Sequence, residues 1–290
     1  MRLTLKKRDI SPYIGLIPSL AMYGLFILYP IISNFYFAMT KFDGVSVSAF
    51  VGLDNFKRAF SNDLLLNAVK NSFVYAIYIT LIQNIIAIVL AILVSVKIKG
   101  SGFFRALYFF PNILGAFAVA IIWGIIMDPN FGPLTGIAKA LGINAAFFGT
   151  SNSIYTIIFI QIWISFGYAM TIYFANIMSV PGELYEAAEI DGAGFFHKIR
   201  YILLPMLSPS ISINILLSLI GSLKLFDIIF ITTKGGPANS TENLPVLIFN
   251  QAFSQGEHGY GAALNVIQFF LILIIAAITT SLQKRLKTEV

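Results

Sequence analysis

Six stretches of this chain contain no Asp, Glu, Lys or Arg: residues 10–40, 71–96, 106–127, 140–182, 201–223 and 258–283. Each is long enough for an apolar helix that crosses a bilayer, which takes about 20 residues. Soluble domains carry about 25% charged residues. Here the fraction is 11%, beside 58% hydrophobic residues and a mean hydropathy of +0.84. One water-soluble core cannot hide that much apolar surface, so the expected fold is all-α, a polytopic membrane protein with six transmembrane helices. The spans are expected at about 13–38, 68–96, 104–127, 154–178, 207–231 and 262–282, in a single transmembrane domain over residues 1–290. The window 140–182 has room for two spans. Its first third, LGINAAFFGTSNS, is broken by Gly142, Gly149 and a Thr-Ser-Asn-Ser run, and reads as loop.

Lys and Arg in the connecting loops set the orientation, because cytoplasmic loops carry the excess. With six spans both termini share one side. That side holds Arg2, Lys6, Lys7, Arg8, Lys97, Lys99, Arg105, Lys198, Arg200, Lys284, Arg285 and Lys287. The other holds Lys41, Lys57, Arg58, Lys70, Lys139 and Lys234, over longer loops. Both termini are therefore expected in the cytoplasm. The net charge of +6 is read as this topology signal and not as a nucleic-acid patch. Residues 2–8 lead into an apolar run longer than a signal-peptide core of about 7–15 residues, so a retained first helix is expected. The chain has no cysteine, hence no disulfide or thiolate site. Its two histidines, His197 and His258, fall on opposite sides of the membrane, and no metal or other cofactor is expected.

One compact polar segment interrupts this pattern. Over residues 181–209, Glu183, Glu186, Glu189 and Asp191 arrive together, followed by Lys198 and Arg200. Pro181 and Gly182 suit the first turn of a helix, and Glu183 then lies near its positive end. Glu186 and Glu189, three apart, share a face. Gly192 permits a sharp break. A second short helix through Phe195, Phe196 and Ile199 presents apolar side chains, and Pro205 and Pro209 mark re-entry into the membrane. The pattern predicts a helix–turn–helix knob over 181–205 on the cytoplasmic side.

Glu186-Ala187-Ala188, Gly192 four residues later, Ile202, Leu204-Pro205 and Pro209 resemble the EAA loop of bacterial ABC importer permeases. Phe50-Val51-Gly52-Leu53-Asp54-Asn55-Phe56, Gly235-Gly236-Pro237 with Thr241, and Tyr29-Pro30 after a basic start are similar to marks of the carbohydrate branch of that family. That branch includes the maltose, glycerol-phosphate and lactose types, and the chain is most similar to the first of the two paired permeases. Ile199 stands where the family usually has Phe.

The resemblance implies that the loop docks on a cytoplasmic ATPase through Glu186, Ala187, Ala188, Asp191, Gly192, Ala193, Phe196 and Ile199, with Glu186 as the charge contact. It implies a permease subunit, and no enzyme. Its partners would be a dimeric ABC ATPase, a second permease and an extracytoplasmic solute-binding protein, and its solute a sugar or a sugar-like molecule such as a glycerol phosphate. The chain has no GxxxxGK[ST] phosphate loop, so ATP is expected on the partner subunit.

Polar residues inside spans mark candidate solute contacts. Gln161, Ser165 and Tyr168 form one stripe on the fourth helix, and Asn214, Ser218 and Ser222 one on the fifth. Neutral hydrogen-bonding groups beside Trp163, Tyr168 and Tyr173 suit a sugar. Ser, Asn and Gln also hold helices together, at about 0.6 kcal/mol each. Lys224 and Asp227, near the outer end of the fifth helix, are expected to neutralise each other or to reach the interface. A polyamine importer would want acidic groups in these stripes, and they have none. A self-contained secondary transporter would want a carboxylate near mid-membrane, which no span supplies. A scaffolding protein would not need polar stripes.

Overall fold

The computed structural model describes residues 11–95, 100–142, 147–149 and 152–288. Of the basic residues that set the topology, Arg2, Lys6, Lys7, Arg8, Lys97 and Lys99 lie outside the described residues, as do the side chains of Arg285 and Lys287. In chain order the elements are α1 (Ser11–Tyr23), a π-turn (Gly24–Leu28), α2 (Tyr29–Ala38), a hairpin of β1 (Thr40–Phe42) and β2 (Val47–Phe50), and α3 (Asp54–Phe60). Next come α4 (Asp63–Ser95), α5 (Ser101–Ile113), α6 (Ala116–Ile126), α7 (Pro133–Ala140) and α8 (Ser153–Ile177). Then α9 (Gly182–Ile190), α10 (Phe195–Lys198), a second π-turn (Ile199–Leu203), α11 (Leu204–Met206), α12 (Ser208–Leu223) and α13 (Asp227–Thr232) follow. Last are α14 (Leu244–Phe249), a third π-turn (Asn250–Ser254) and α15 (His258–Thr288).

Among the described residues five helical segments are long and apolar enough to cross a membrane: Gly15–Ala38, Asp63–Ser95, Ser153–Ile177, Ser208–Thr232 and His258–Lys284. The pair α5 and α6 makes a sixth if it counts as one span. The fold is all-α with one small antiparallel hairpin. The third expected span, a single helix over 104–127, is instead two helices bent by 92°. Pro111 removes a backbone donor one turn before the bend, and Gly115, at φ +74°, turns the chain in a conformation that glycine adopts at little cost.

By packing, the chain forms two compact units, residues 1–61 with 248–267 and residues 62–247 with 268–290. In the first, α1 and α2 form one apolar span, and none of its 18-residue apolar window is buried. The π-turn precedes Pro30, whose ring nitrogen has no proton for the carbonyl four residues back, so the helix widens there. Asn55 donates through Nδ2 to the carbonyls of Ala38 (2.9 Å) and Thr40 (3.0 Å), locking α3 under the hairpin. Gly259 passes directly beneath the Thr40 carbonyl, where a Cβ would collide. Ala38, Ala262, Ala263 and Val266 form the core beside Phe35, Phe37 and Phe56. Arg58 pairs with Glu257 at 2.7 Å and stacks on Tyr260, with its guanidinium 4.1 Å from the ring centre.

In the second unit α4, with 33 residues, packs against α8 and α12. One cluster joins Tyr75, Ile79, Ile157, Ile160, Ile164, Ile228 and Ile229. A second joins Ala87, Ala91, Met170, Tyr173, Leu203 and Leu207. Gly167 lets α8 cross α5 so closely that any Cβ there would meet the Tyr108 carbonyl. The loop between α13 and α14 is tied to the start of α4. Asn67 Nδ2 donates to Asn239 O (2.7 Å), Asn71 Nδ2 to Glu242 O (2.9 Å) and Tyr75 Oη to Thr241 O (3.1 Å). The Thr241 hydroxyl lies 2.9 Å from the Gly236 carbonyl, beside the cis Gly236–Pro237 bond.

Candidate functional site

The polar segment folds as two short helices joined by a closed turn. Pro181 is extended (φ −58°, ψ 132°) and starts α9, with Glu183 in its first turn. The helix stops at Asp191 because Gly192 adopts φ +77°. There the Gly192 N–H donates to Glu189 O (3.0 Å) and the Ala193 N–H to Ala188 O (2.8 Å). This 5→2 and 6→1 pair is the Schellman closure, which takes up carbonyls that the helix end leaves free. After α10 the chain widens through Ile199–Leu203, again just before a proline, Pro205. Lys198 Nζ lies 2.6 Å from Glu189 Oε1 and links the two helices. That hydrogen bond, then the ammonium's charge, hold the Glu189 carboxyl below the ordinary carboxylate range.

Glu186, Ala187, Asp191 and Gly192 are exposed on this knob, and Ala188 and Ala193 are half-buried. Among the described residues Glu186 and Asp191 make no ion pair. Phe196 is 81% exposed and Ile190 88%, with Leu184 and Phe195 also open. Ile199 does not join Phe196 on the outer face. It turns inward with Tyr185 and Ile202 against the cluster around Leu203 and Leu207. Burial there pushes the Tyr185 hydroxyl up. An exposed apolar patch rimmed by polar groups is the kind of surface that a protein, membrane or ligand covers. Ile190 and Leu184 belong to that patch although the sequence motif does not single them out.

The polar stripes fall into a seam between α4, α8 and α12. Tyr173 Oη donates to Asn84 Oδ1 (2.6 Å), and Asn84 Nδ2 donates to Ser218 Oγ (3.0 Å). The Ser218 hydroxyl donates to the Asn214 carbonyl (2.5 Å), Asn214 Nδ2 to Ala169 O (3.3 Å) and Ser222 Oγ to Ser218 O (2.6 Å). Asn214 and Ser222 are each only 2% exposed. Ser165 Oγ lies 2.9 Å from Gln83 Oε1 and 2.7 Å from the Gln161 carbonyl, with Gln161 and Ser165 half-buried. Tyr168 is 46% exposed and stands apart from this seam. Gln83 and Asn84 complete the seam from α4. Thr80, Gln83 and Asn84 fall within one helical turn of each other in an apolar run, which hints at a partner stripe there. Lys224 and Asp227 are both exposed, and no direct ion pair joins them among the described residues.

Among the described residues no group of three or more His, Cys, Asp or Glu could hold a metal ion. Residues 83–288 match the family model described as binding-protein-dependent transport system inner membrane component. The chain is 30% identical to the probable starch degradation products transport system permease protein AmyD of Thermoanaerobacterium thermosulfurigenes, over 98% of this chain and 97% of that one. It is 31% identical to the multiple sugar-binding transport system permease protein MsmF of Streptococcus mutans, over 96% and 98% of the two chains. In fold it matches a chain of a bacterial ABC transporter that imports the acidic polysaccharide alginate. The TM-score is 0.86 at 21% identity, over 96% of each chain. The bundle, the exposed two-helix knob and these matches together assign the chain: it belongs to the family of inner-membrane components of binding-protein-dependent transport systems.

Proposed function

We propose that this chain is a sugar-translocating permease subunit of an ATP-driven importer, coupled to its ATPase through the knob at 181–205. The observation that carries the reading is the knob itself. Glu186 and Asp191 make no ion pair among the described residues and stand beside bare Ile190 and Phe196, on a turn that the Gly192 closure fixes. That surface suits a cleft with a basic contact for Glu186. Ala187, Ala188 and Ala193 let the partner's backbone approach, and Ile199 anchors the knob from beneath. The knob side and both termini then face the cytoplasm, as the basic loop residues favour. ATP binds to the partner subunits, and this chain carries no cofactor of its own. A second permease supplies the other half of the path, and an extracytoplasmic binding protein delivers the solute. Closure of the ATPase dimer draws the two knobs together and rocks the helices between inward- and outward-open states, as rigid bundles do.

The solute is a sugar or a sugar-like molecule such as a glycerol phosphate, in line with the starch-product and multiple-sugar relatives. Tyr168 offers an open aromatic face to it. Gln161 and Ser165 lie beside the path, while Asn214, Ser218 and Ser222 act chiefly as the seam that keeps α12 in place. The test is uptake of radiolabelled maltose, trehalose, diacetylchitobiose and sn-glycerol 3-phosphate by cells with and without this chain. Loss of uptake for one of these solutes is expected. Unchanged uptake of all four, with loss of a polyamine instead, would overturn the sugar reading.

A further inference from the structure

On the side of α4 and α8 that turns away from the polar seam, the two helices form an apolar groove of about 360 Å³. Its floor is Ile158 and Ile162, both buried. Its walls carry Tyr78 and Ile82 from α4, and Phe159 and Trp163 from α8. No charged side chain, amide or aliphatic hydroxyl lines it, so neither water nor a sugar finds partners along its floor. Tyr78 and Tyr155 close one end, with their rings edge to face at 6.3 Å. Neither tyrosine hydroxyl makes a hydrogen bond among the described residues. Tyr155 is the third residue of the 25-residue α8, and Phe166, at the other end of the groove, is the fourteenth. At 1.5 Å per residue the groove is therefore about 16 Å long. It runs from one membrane face to the middle of a hydrocarbon layer roughly 30 Å thick. The knob follows the opposite end of α8, so the groove lies in the leaflet away from the knob. Its volume over that length leaves a cross-section of about 20 Å². A neighbouring helix, about 10 Å across, is too wide to reach the floor, whereas one extended hydrocarbon chain is not.

We propose that this groove is a phospholipid site. One acyl chain lies along Ile158 and Ile162, and the Tyr78 and Tyr155 hydroxyls donate to ester or phosphate oxygens of the same lipid. The order of the parts matches. A phospholipid has its acceptor oxygens at the membrane face and its chain toward the middle, and the groove has its donors and its apolar floor in those places. Tyrosine suits the mouth because its ring is apolar and its tip polar. Lipid tails elsewhere in the bilayer are as apolar as the groove, so hydrophobicity does not hold this chain there. Close contact along the floor and the two hydroxyl bonds do. The lipid fastens α4 to α8 on the side opposite the Asn84 and Ser218 seam. The site does not depend on which solute is carried, only on the membrane setting that the family match establishes.

The test is photolabelling of the full transporter in bilayers that hold a trace of phosphatidylethanolamine with a diazirine in its acyl chain. After irradiation the modified residues are mapped by mass spectrometry. Leu93, exposed on α4 outside the groove, reports ordinary bilayer contact. Ile82 and Ile162 are expected to carry roughly tenfold more label than Leu93. Ile82→Trp fills the groove from its wall and should bring Ile162 down to the Leu93 level. Tyr78→Phe combined with Tyr155→Phe keeps both rings and removes both donors, and should lower the excess about fivefold or more. Equal label on Ile162 and Leu93 in the parent would mean bulk lipid alone. Label on Leu93 with none on Ile82 or Ile162 would mean that the paired permease covers the groove. An excess unmoved by the double Tyr→Phe change would mean a slot for any hydrocarbon chain, with no head group recognised. Each of these three results overturns the proposal.

Discussion

Single residues decide where helices in this protein meet. At Gly167 an added methyl would strike the Tyr108 carbonyl, whereas nothing lies within 4 Å of a Cβ at Gly124. We therefore expect Gly167→Ala to destabilise the detergent-solubilised complex by about 1–3 kcal/mol, the usual cost of overpacking. Gly124→Ala should leave its melting temperature within a degree or two of the parent. Asn84 is the second such residue, because it receives from Tyr173 and gives to Ser218. Asn84→Leu leaves both hydroxyls short of a partner and should cost about 1–3 kcal/mol. A double-mutant cycle with Ser218→Ala, read by thermal unfolding, should return a coupling of roughly 0.6 kcal/mol or more. A coupling of zero would mean that the bond does not hold α12 to α4. The stripe at 214, 218 and 222 was legible in the sequence from its spacing alone. Whether it serves as a seam or as solute lining stays open there, because its partner Asn84 sits far away in the chain and the two meet only once the helices pack.

At the scale of elements, the knob depends on its closed turn. A residue other than glycine at φ +77° costs about 1–2 kcal/mol and strains the Schellman pair. Gly192→Asp is expected to leave ATP hydrolysis running while uptake falls to background, measured together in proteoliposomes. Normal uptake would show that the turn is not a coupling hinge. The link between Glu189 and Lys198 adds a pH dependence to the same element. A carboxyl held below its ordinary value contributes stability that is present above that value and lost as pH falls through the lowered one. Protection of the α9 and α10 amides against hydrogen exchange, taken relative to the intrinsic rate at each pH, should thus be unchanged from neutral pH down to the ordinary carboxylate range. It should fall only below that range, and Glu189→Gln should remove the step. The sequence marked this knob well, since charges, glycine and prolines all act locally. It misread the third span, because counting apolar residues does not register a 92° bend made by Pro111 and Gly115.

In the whole molecule, the proposed function has apolar helices move a solute because a partner in water pulls on one loop. Charge-free windows along the chain already showed the bundle. The surface left over, with Glu186, Ile190 and Phe196 exposed, is where the proposed pull would act. The most direct measurement is sugar uptake in cells carrying the parent chain, no chain, or Glu186→Lys, with the amount of each chain in the membrane measured alongside. The account predicts that Glu186→Lys reaches the membrane at the parent level and that its uptake drops to that of cells without the chain. Parental uptake by Glu186→Lys would contradict it, because transport would then not be driven through this loop.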